Sequence, residues 1–279
     1  MIIDIIRSNF KIIIFGFVFT FFSCIGQSFF IGLFNSEIRS ELNISHAQFG
    51  SIYGIATLCS SLTLIWLGKK IDELKLVNYS ILVVTLLFLA SIFFSFVNGI
   101  FFLLIGIFLL RLSGQGLMAH TAATAVTRYF EKTRGKALSF TWLGMSLGEF
   151  LLPVLIVFLL SFMHWRDLWI QIGILVLIIL PIFSYMTVKD IDISSREKGK
   201  ENYNKDLLLI KSWTRKEIIK DFKFYSLLPS TLACSFIITG IVINQSFMVN
   251  YFYGQVTIIY SPNIFSINYF FSSRRFIKF

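Results

Sequence analysis

Apolar positions along this chain come in long blocks separated by short polar hinges. A helix needs about 20 consecutive apolar residues to cross the hydrocarbon layer of a membrane. Seven blocks meet that length: Ile12–Phe34, Phe49–Leu67, Val77–Val97, Phe101–Ala123, Ala137–Phe162, Leu168–Val188 and Phe224–Phe247. Each predicts a transmembrane helix. After the sixth block comes a charged segment, Lys189 to Lys223, which cannot cross. Its first part reads as a solvated linker. From about Asp206 it places Leu207, Ile210 and Trp213, then Ile218, Ile219 and Phe222, at helical spacing. That pattern predicts a helix lying on the membrane surface.

Composition agrees with this reading. Only 14% of the 279 residues are charged, against about 25% in a soluble domain, and the mean hydropathy is +0.77. The expected fold is all-α: a polytopic helix bundle in a lipid bilayer. The first block has no small-residue cleavage site after it, so it reads as a retained span. Cys24, Cys59 and Cys234 all lie within apolar runs, without disulfide or metal-ligand spacing, and read as small buried residues. No metal or cofactor is expected.

Lys and Arg set the orientation, because basic hinges stay in the cytoplasm. With the N-terminus inside, the inner segments hold Arg7 and Lys11; Lys69, Lys70 and Lys75; Arg128, Lys132, Arg134 and Lys136; and the ten basic residues of the linker. The outer hinges hold only Arg39 and Arg166. The expected arrangement is six helices with both ends inside, a cytoplasmic linker, then a seventh helix.

Four motifs sit on this topology. The hinge after the second span reads "GKKIDELK", with Gly68, Lys69, Lys70 and Asp72. The fourth span carries "RLSGQG", with Arg111, Gly114, Gln115 and Gly116. "RYFEKTRGKALS" leads into the fifth span, which contains "GMSLGEFLLP" with Gly144, Gly148, Glu149 and Pro153. Together these resemble the major facilitator superfamily, whose signature G-x-x-x-D-R-x-G-R lies between its second and third helices. Here Glu73 stands where that family usually has Arg, and Lys75 where it usually has Gly. Gln115 and Gly116 come one residue later after Arg111 than the usual spacing. The resemblance covers about Phe10 to Phe247 and is nearest the branch that moves small monocarboxylates, oxalate or formate. It implies a gradient-driven secondary transporter in a bacterial cytoplasmic membrane. By the same resemblance, Asp72 latches the two halves on the cytoplasmic side.

Arg111 lies about ten residues into the fourth span, roughly 15 Å deep at 1.5 Å per residue, near the middle of the bilayer. Glu149, about twelve residues into the fifth span, reaches roughly 18 Å from the other side. They are the clear charges well inside the six spans, and an unpaired charge there costs several kcal/mol. Two readings follow. In one, they face a water-filled cavity, where Arg111 attracts a small anionic solute and Glu149 compensates it or takes a coupling proton. In the other, they are a structural pair between neighbouring helices; beyond both stands the case in which the two charges never meet. Gln27, in the first span, is a third polar group at similar depth. Gly114, Gly116, Gly144 and Gly148 read as places where helix backbones approach closely. His120 reads as a packed histidine before a proton relay, and His46 and His164 as incidental hinge residues.

Motifs for metalloprotease, serine hydrolase and phosphate-loop chemistry are absent from the sequence. No enzymatic activity is expected, and no nucleic-acid partner. The expected division is a six-helix bundle (1–188), a linker with a surface helix (189–223), a seventh helix (224–253) and an atypical tail (254–279). The tail, broken by Pro262 and ending in basic residues, reads as a truncated or frame-shifted end. The alternative function is therefore a bundle without transport of its own, one that needs a missing second half, another copy or a partner chain.

Overall fold

The computed structural model describes residues 10–130, 133–189, 191 and 215–244. It is an all-α polytopic bundle, with six helices long and apolar enough to cross a membrane among the described residues. The first span runs from Phe10 to Leu33 in two pieces, α1 (Phe10–Ser23) and α2 (Ser28–Leu33). A short helix α3 (Asn35–Leu42) extends it into the hinge. The second span is α4 (His46–Leu67) followed by the tight turn Gly68–Asp72. The third is α5 (Leu76–Ser95). The fourth joins α6 (Ile100–Leu110), a widened π turn (Arg111–Met118) and α7 (Ala119–Tyr129). The fifth is α8 (Arg134–Leu160) and the sixth α9 (Trp165–Val188). Beyond the linker lie the short α10 (Arg215–Lys220) and α11 (Phe222–Ile243).

Local chemistry explains several ends. Asn43 ends α3 with φ of 52°, a left-handed conformation that asparagine tolerates and that closes a helix C-terminus. Ser45 then starts α4 with a reciprocal cap: its hydroxyl accepts from the Gln48 N–H, and the Gln48 side chain accepts from the Ser45 N–H. Hydroxyls inside the spans donate to carbonyls of their own helix, as Ser80 does to Leu76 and Thr121 to Leu117. Lipid offers no other partner.

The first span is the most enclosed, with Phe15, Phe19, Phe30, Ile31 and Phe34 fully buried. It packs chiefly against α8 and α7, while α5 packs on α9. Between these pairs, Trp169 meets Phe30, Phe34 and Phe94 at centroid distances of 5.7, 5.1 and 4.8 Å. By contrast α8 and α9 expose Phe150, Leu155, Phe158, Ile178 and Ile182. Hydrocarbon is as good a neighbour for these side chains as another helix.

Two expectations are corrected. The first block is not one continuous helix: a tight turn at Cys24–Gly26 and an extended Gln27 (ψ of 156°) interrupt it. The fourth is not uniformly α-helical, because Arg111–Met118 is wound one residue wider per turn. The expected seventh span, Phe224–Phe247, coincides with α11, and its residues 245–247 lie outside the described residues. The surface helix expected from Asp206 also falls outside them up to 214, as do the basic residues Arg7 and Lys132 and the whole tail 254–279.

Candidate functional site

The break in the first span lies against the π turn of the fourth. A Cβ added to Gly114 would sit 2.6 Å from the Gly26 nitrogen, so both positions need glycine for the backbones to touch. Breaking a helix in a membrane frees carbonyls that no water satisfies. The Gly26 carbonyl is taken by Arg111, whose Nη1 donates to it at 3.2 Å and to the Ser28 hydroxyl at 3.3 Å. Tyr53 of α4 completes the pocket: its OH donates to Ser28 Oγ at 2.9 Å, and its ring lies 5.3 Å from the guanidinium carbon. Gln27 is buried at the same break. Arg111 Nε and Gln115 Oε1 are buried without a hydrogen-bond partner among the described residues.

The structure thus brings together Arg111, Gln27 and the glycine pair, and adds Tyr53 and Ser28, which sequence reasoning missed. A signal existed for them: both are polar residues inside predicted or extended apolar spans. It is a weak signal, because hydroxyls in membrane helices usually bond their own backbone.

Glu149 stands elsewhere around the same break. One of its electrostatic neighbours is Cys24, three residues before Gln27. Gly148 brings α8 onto this segment, since a Cβ there would lie 2.6 Å from Cys24 Sγ. Gly144 abuts Phe17 and Thr20 of α1 in the same way. Arg111 therefore meets neutral oxygens and an aromatic ring where the sequence reading expected Glu149. The two charges share the broken first span as a common neighbour. Gly116 serves a different contact and faces Leu64 of α4 at 3.3 Å.

At the face carrying the basic hinges, α7 presents His120, Thr124 and Arg128 at four-residue spacing, hence on one side of the helix. Arg128 forms an ion pair with Asp72. His120 Nε2 meets the Gly68 carbonyl at 3.1 Å, and Gly68 leaves the room: a Cβ there would be 3.3 Å from the imidazole. Tyr79 OH donates to the Leu67 carbonyl at 3.2 Å. Thus the carbonyls of Leu67 and Gly68, which the helix end leaves without a partner in α4, are each satisfied by a neighbouring span. Lys70 pairs with Glu73 at 2.7 Å in the open, and Lys69 lies exposed beside it. His120 is therefore a partner of the hinge motif.

The opposite face holds a clamp that the sequence did not suggest. Arg166 donates from Nε and Nη2 to Glu41 Oε1 at 2.9 and 2.7 Å. It also donates to the carbonyls of Ser95 and Val97, both at 2.6 Å. Trp165 Nε1 donates to Glu41 Oε2 at 2.7 Å, and His164 lies 3.7 Å from the same oxygen. Three hinges are tied by one guanidinium, and His164, expected to be incidental, lies beside the carboxylate at its centre. Burial pushes the Glu41 carboxyl up, but hydrogen bonds from Arg166 and Trp165, together with the Arg166 charge, outweigh it and hold the carboxyl below the usual carboxylate range.

Among the described residues no cluster of His, Cys, Asp and Glu could hold a metal ion. Compared with known families, the sequence profile of the Major Facilitator Superfamily matches residues 16–273, which takes in most of the segment 254–279. A comparison with curated proteins returns no match.

Proposed function

Because the chain belongs to the Major Facilitator Superfamily, it is a secondary transporter, and we propose that its cargo is a small organic anion of the monocarboxylate kind. The observation that carries this reading is the environment of Arg111. Its guanidinium is buried within the fourth span, and its contacts are the neutral Gly26 carbonyl, the Ser28 hydroxyl and the Tyr53 ring. A permanent cation surrounded by neutral groups in a medium of low dielectric attracts an anion strongly. The break in the first span supplies Gln27 as a polar neighbour that can turn toward a carboxylate. Glu149, on the other flank of the break, compensates the cation when the anion has left and accepts a coupling proton. Alternating access then exposes the break to one face and then the other.

The sidedness belongs to the same proposal. The basic hinges place the N-terminus in the cytoplasm, here of a bacterial cell with the protein in its cytoplasmic membrane. Asp72, held by Arg128, acts at the cytoplasmic gate with Gly68, Lys69 and Lys70.

One observation favours a second reading. Arg111 is only 6% exposed and satisfies a carbonyl freed by the helix break. That is what a brace would do. Uptake into proteoliposomes separates the two readings. The purified chain should take up small carboxylates saturably and leave neutral and cationic analogues of equal size behind. Arg111→Lys keeps the charge but loses the planar fork, so it should retain uptake with a raised KM. Arg111→Leu should abolish uptake while the protein still purifies as a folded species. Saturable uptake of a neutral solute, unchanged in Arg111→Leu, would leave the brace as the role of Arg111.

A further inference from the structure

The fourth span makes two holds on its neighbours. Arg111 grips the broken first span, and nine residues later His120 grips the hinge after α4. In a regular α-helix each residue turns by about 100°, so these two side chains would point about 180° apart. With one residue absorbed by the wide turn between them, the angle falls to about 80°. The extra residue therefore sets which way Arg111 faces while His120 faces Gly68.

The wide turn is kept in its place from outside. A Cβ added to Gly26 would lie 2.5 Å from the Gln115 nitrogen and closer still to the Leu110 carbonyl oxygen. Those two groups are five residues apart, the pair that a π turn joins. The first span thus presses on the bond that defines the turn. Arg111 ties it there through the Gly26 carbonyl and the Ser28 hydroxyl. An extra residue can sit in one helical turn or the next with the same number of backbone bonds made, so contacts outside the helix choose its place. At the other end, the Gly68 carbonyl can only accept, so His120 Nε2 carries the proton in their contact at 3.1 Å. Thr124 Oγ1 lies 3.5 Å from Nδ1, on the far side of the ring.

We infer that the wide turn of the fourth span is a joint that couples the hold of Arg111 on the first-span break to the hold of His120 on the Gly68–Asp72 hinge. What the joint is for rests on the transport reading above: a solute that draws Arg111 from the Gly26 carbonyl frees the turn. The extra residue then moves toward α7, and each residue it passes turns by about 100° around the axis. His120 lies in that path and leaves the Gly68 carbonyl. Arg128, about two turns beyond, keeps its ion pair with Asp72. Arrival at the site is thereby passed to the hinge before the ion pair there opens. His120 is a positioning residue in this scheme and does not touch the solute.

Coupling of two sites is reciprocal, so the test reads it from both ends and needs no solute. The chain has three histidines, and protein labelled with 15N-histidine gives a spectrum that His46→Gln and His164→Gln assign. The exchange of the His120 Nε2 proton with water is followed in nanodiscs. Arg111→Leu speeds it about tenfold, an ordinary strength of coupling. Arg111→Lys, which keeps a donor for the Gly26 carbonyl, does not. From the other end, Gln27→Cys, at a position 9% exposed in the break, is placed in a background with Cys24, Cys59 and Cys234 changed to alanine. A small thiol reagent labels it about tenfold faster when His120→Leu is added. With His120→Gln, whose amide nitrogen still donates to Gly68, the rate stays as it was. This arm decides the matter if Arg111→Leu does not fold. Arg166→Leu, which loosens the opposite face, changes neither rate. A folded Arg111→Leu protein with unchanged exchange overturns the joint. So does unchanged labelling in His120→Leu, or an equal speeding of both rates by Arg166→Leu. Uptake of a neutral solute would defeat the anion reading alone and leave these rates standing.

Discussion

Single residues decide how the hinges hold together, and Glu41 shows it best. Its carboxylate receives three hydrogen bonds from Trp165 and Arg166. The folded-state pKa is therefore lower than in the unfolded chain. A depressed carboxyl contributes stability that is fully present above the unfolded value and lost as pH falls through the folded one. Glu41 is 38% exposed, so solvent screens the pair and the contribution is about 1 kcal/mol, the upper end for an open ion pair. Glu41→Gln should lower the thermal midpoint in detergent at pH 7. The gap between the two proteins should close as pH drops below the ordinary carboxylate range of about 4. A gap of constant size from pH 7 to 3 would mean that the charge of Glu41 does not matter. Arg166→Lys should be nearly as costly as Glu41→Gln, since an ammonium cannot reach one carboxylate and two carbonyls together.

At the scale of elements, two irregular helices make each other possible. The first span breaks at Cys24–Gln27, and the fourth widens at Arg111–Met118. A π turn holds one residue more than an α turn. The sequence carries that extra residue openly, as the one-residue delay of Gln115 and Gly116 after Arg111 relative to the family pattern. The widened turn absorbs it without shifting α6 or α7 out of the membrane. Gly26 and Gly114 then allow backbone contact at the crossing. Gly114→Ala places a methyl on the Gly26 backbone, where no flexible side-chain end can yield. We expect a loss of stability of about 1–3 kcal/mol, the usual cost of overpacking, and a larger loss for Gly114→Leu. Gly116→Ala, which meets the flexible end of Leu64 at 3.3 Å and the Arg111 carbonyl at an ordinary contact distance of 3.4 Å, should cost less than Gly114→Ala. Equal effects in a detergent melting series would show that the crossing is not the tight point.

For the whole molecule the central matter is which face is which. The structure puts Asp72, Arg128 and Lys70 on one face and Glu41, His164 and Arg166 on the other, because successive spans run antiparallel. In the orientation proposed from the basic bias, the first face is cytoplasmic. Single cysteines introduced at Asn43 and at Lys70 give the direct check. In intact cells the one at Asn43 should react with an impermeant thiol reagent and the one at Lys70 should not. Reaction at Lys70 alone would invert the assignment.

Six of the membrane helices and their approximate limits were legible in the sequence. Blocks of about twenty apolar residues have no stable alternative in lipid, and length alone decides them. The small residues at Gly144 and Gly148 likewise announced close packing, since the first span does come down on them. Where a helix breaks could not be read in this way. Gly26 and Gln27 look like ordinary residues of an apolar block. They form a break only because Arg111, eighty-five residues later, takes the carbonyl that the break releases. The partner of Arg111 was misjudged for the same reason. Depth along two helices says that charges lie at one level. It does not say which way each side chain turns around its helix, and that rotation is set by the crossing of the first and fourth spans. Arg166 gave no local signal either, because its partners Glu41, Ser95 and Val97 come from two other hinges that only folding brings to it.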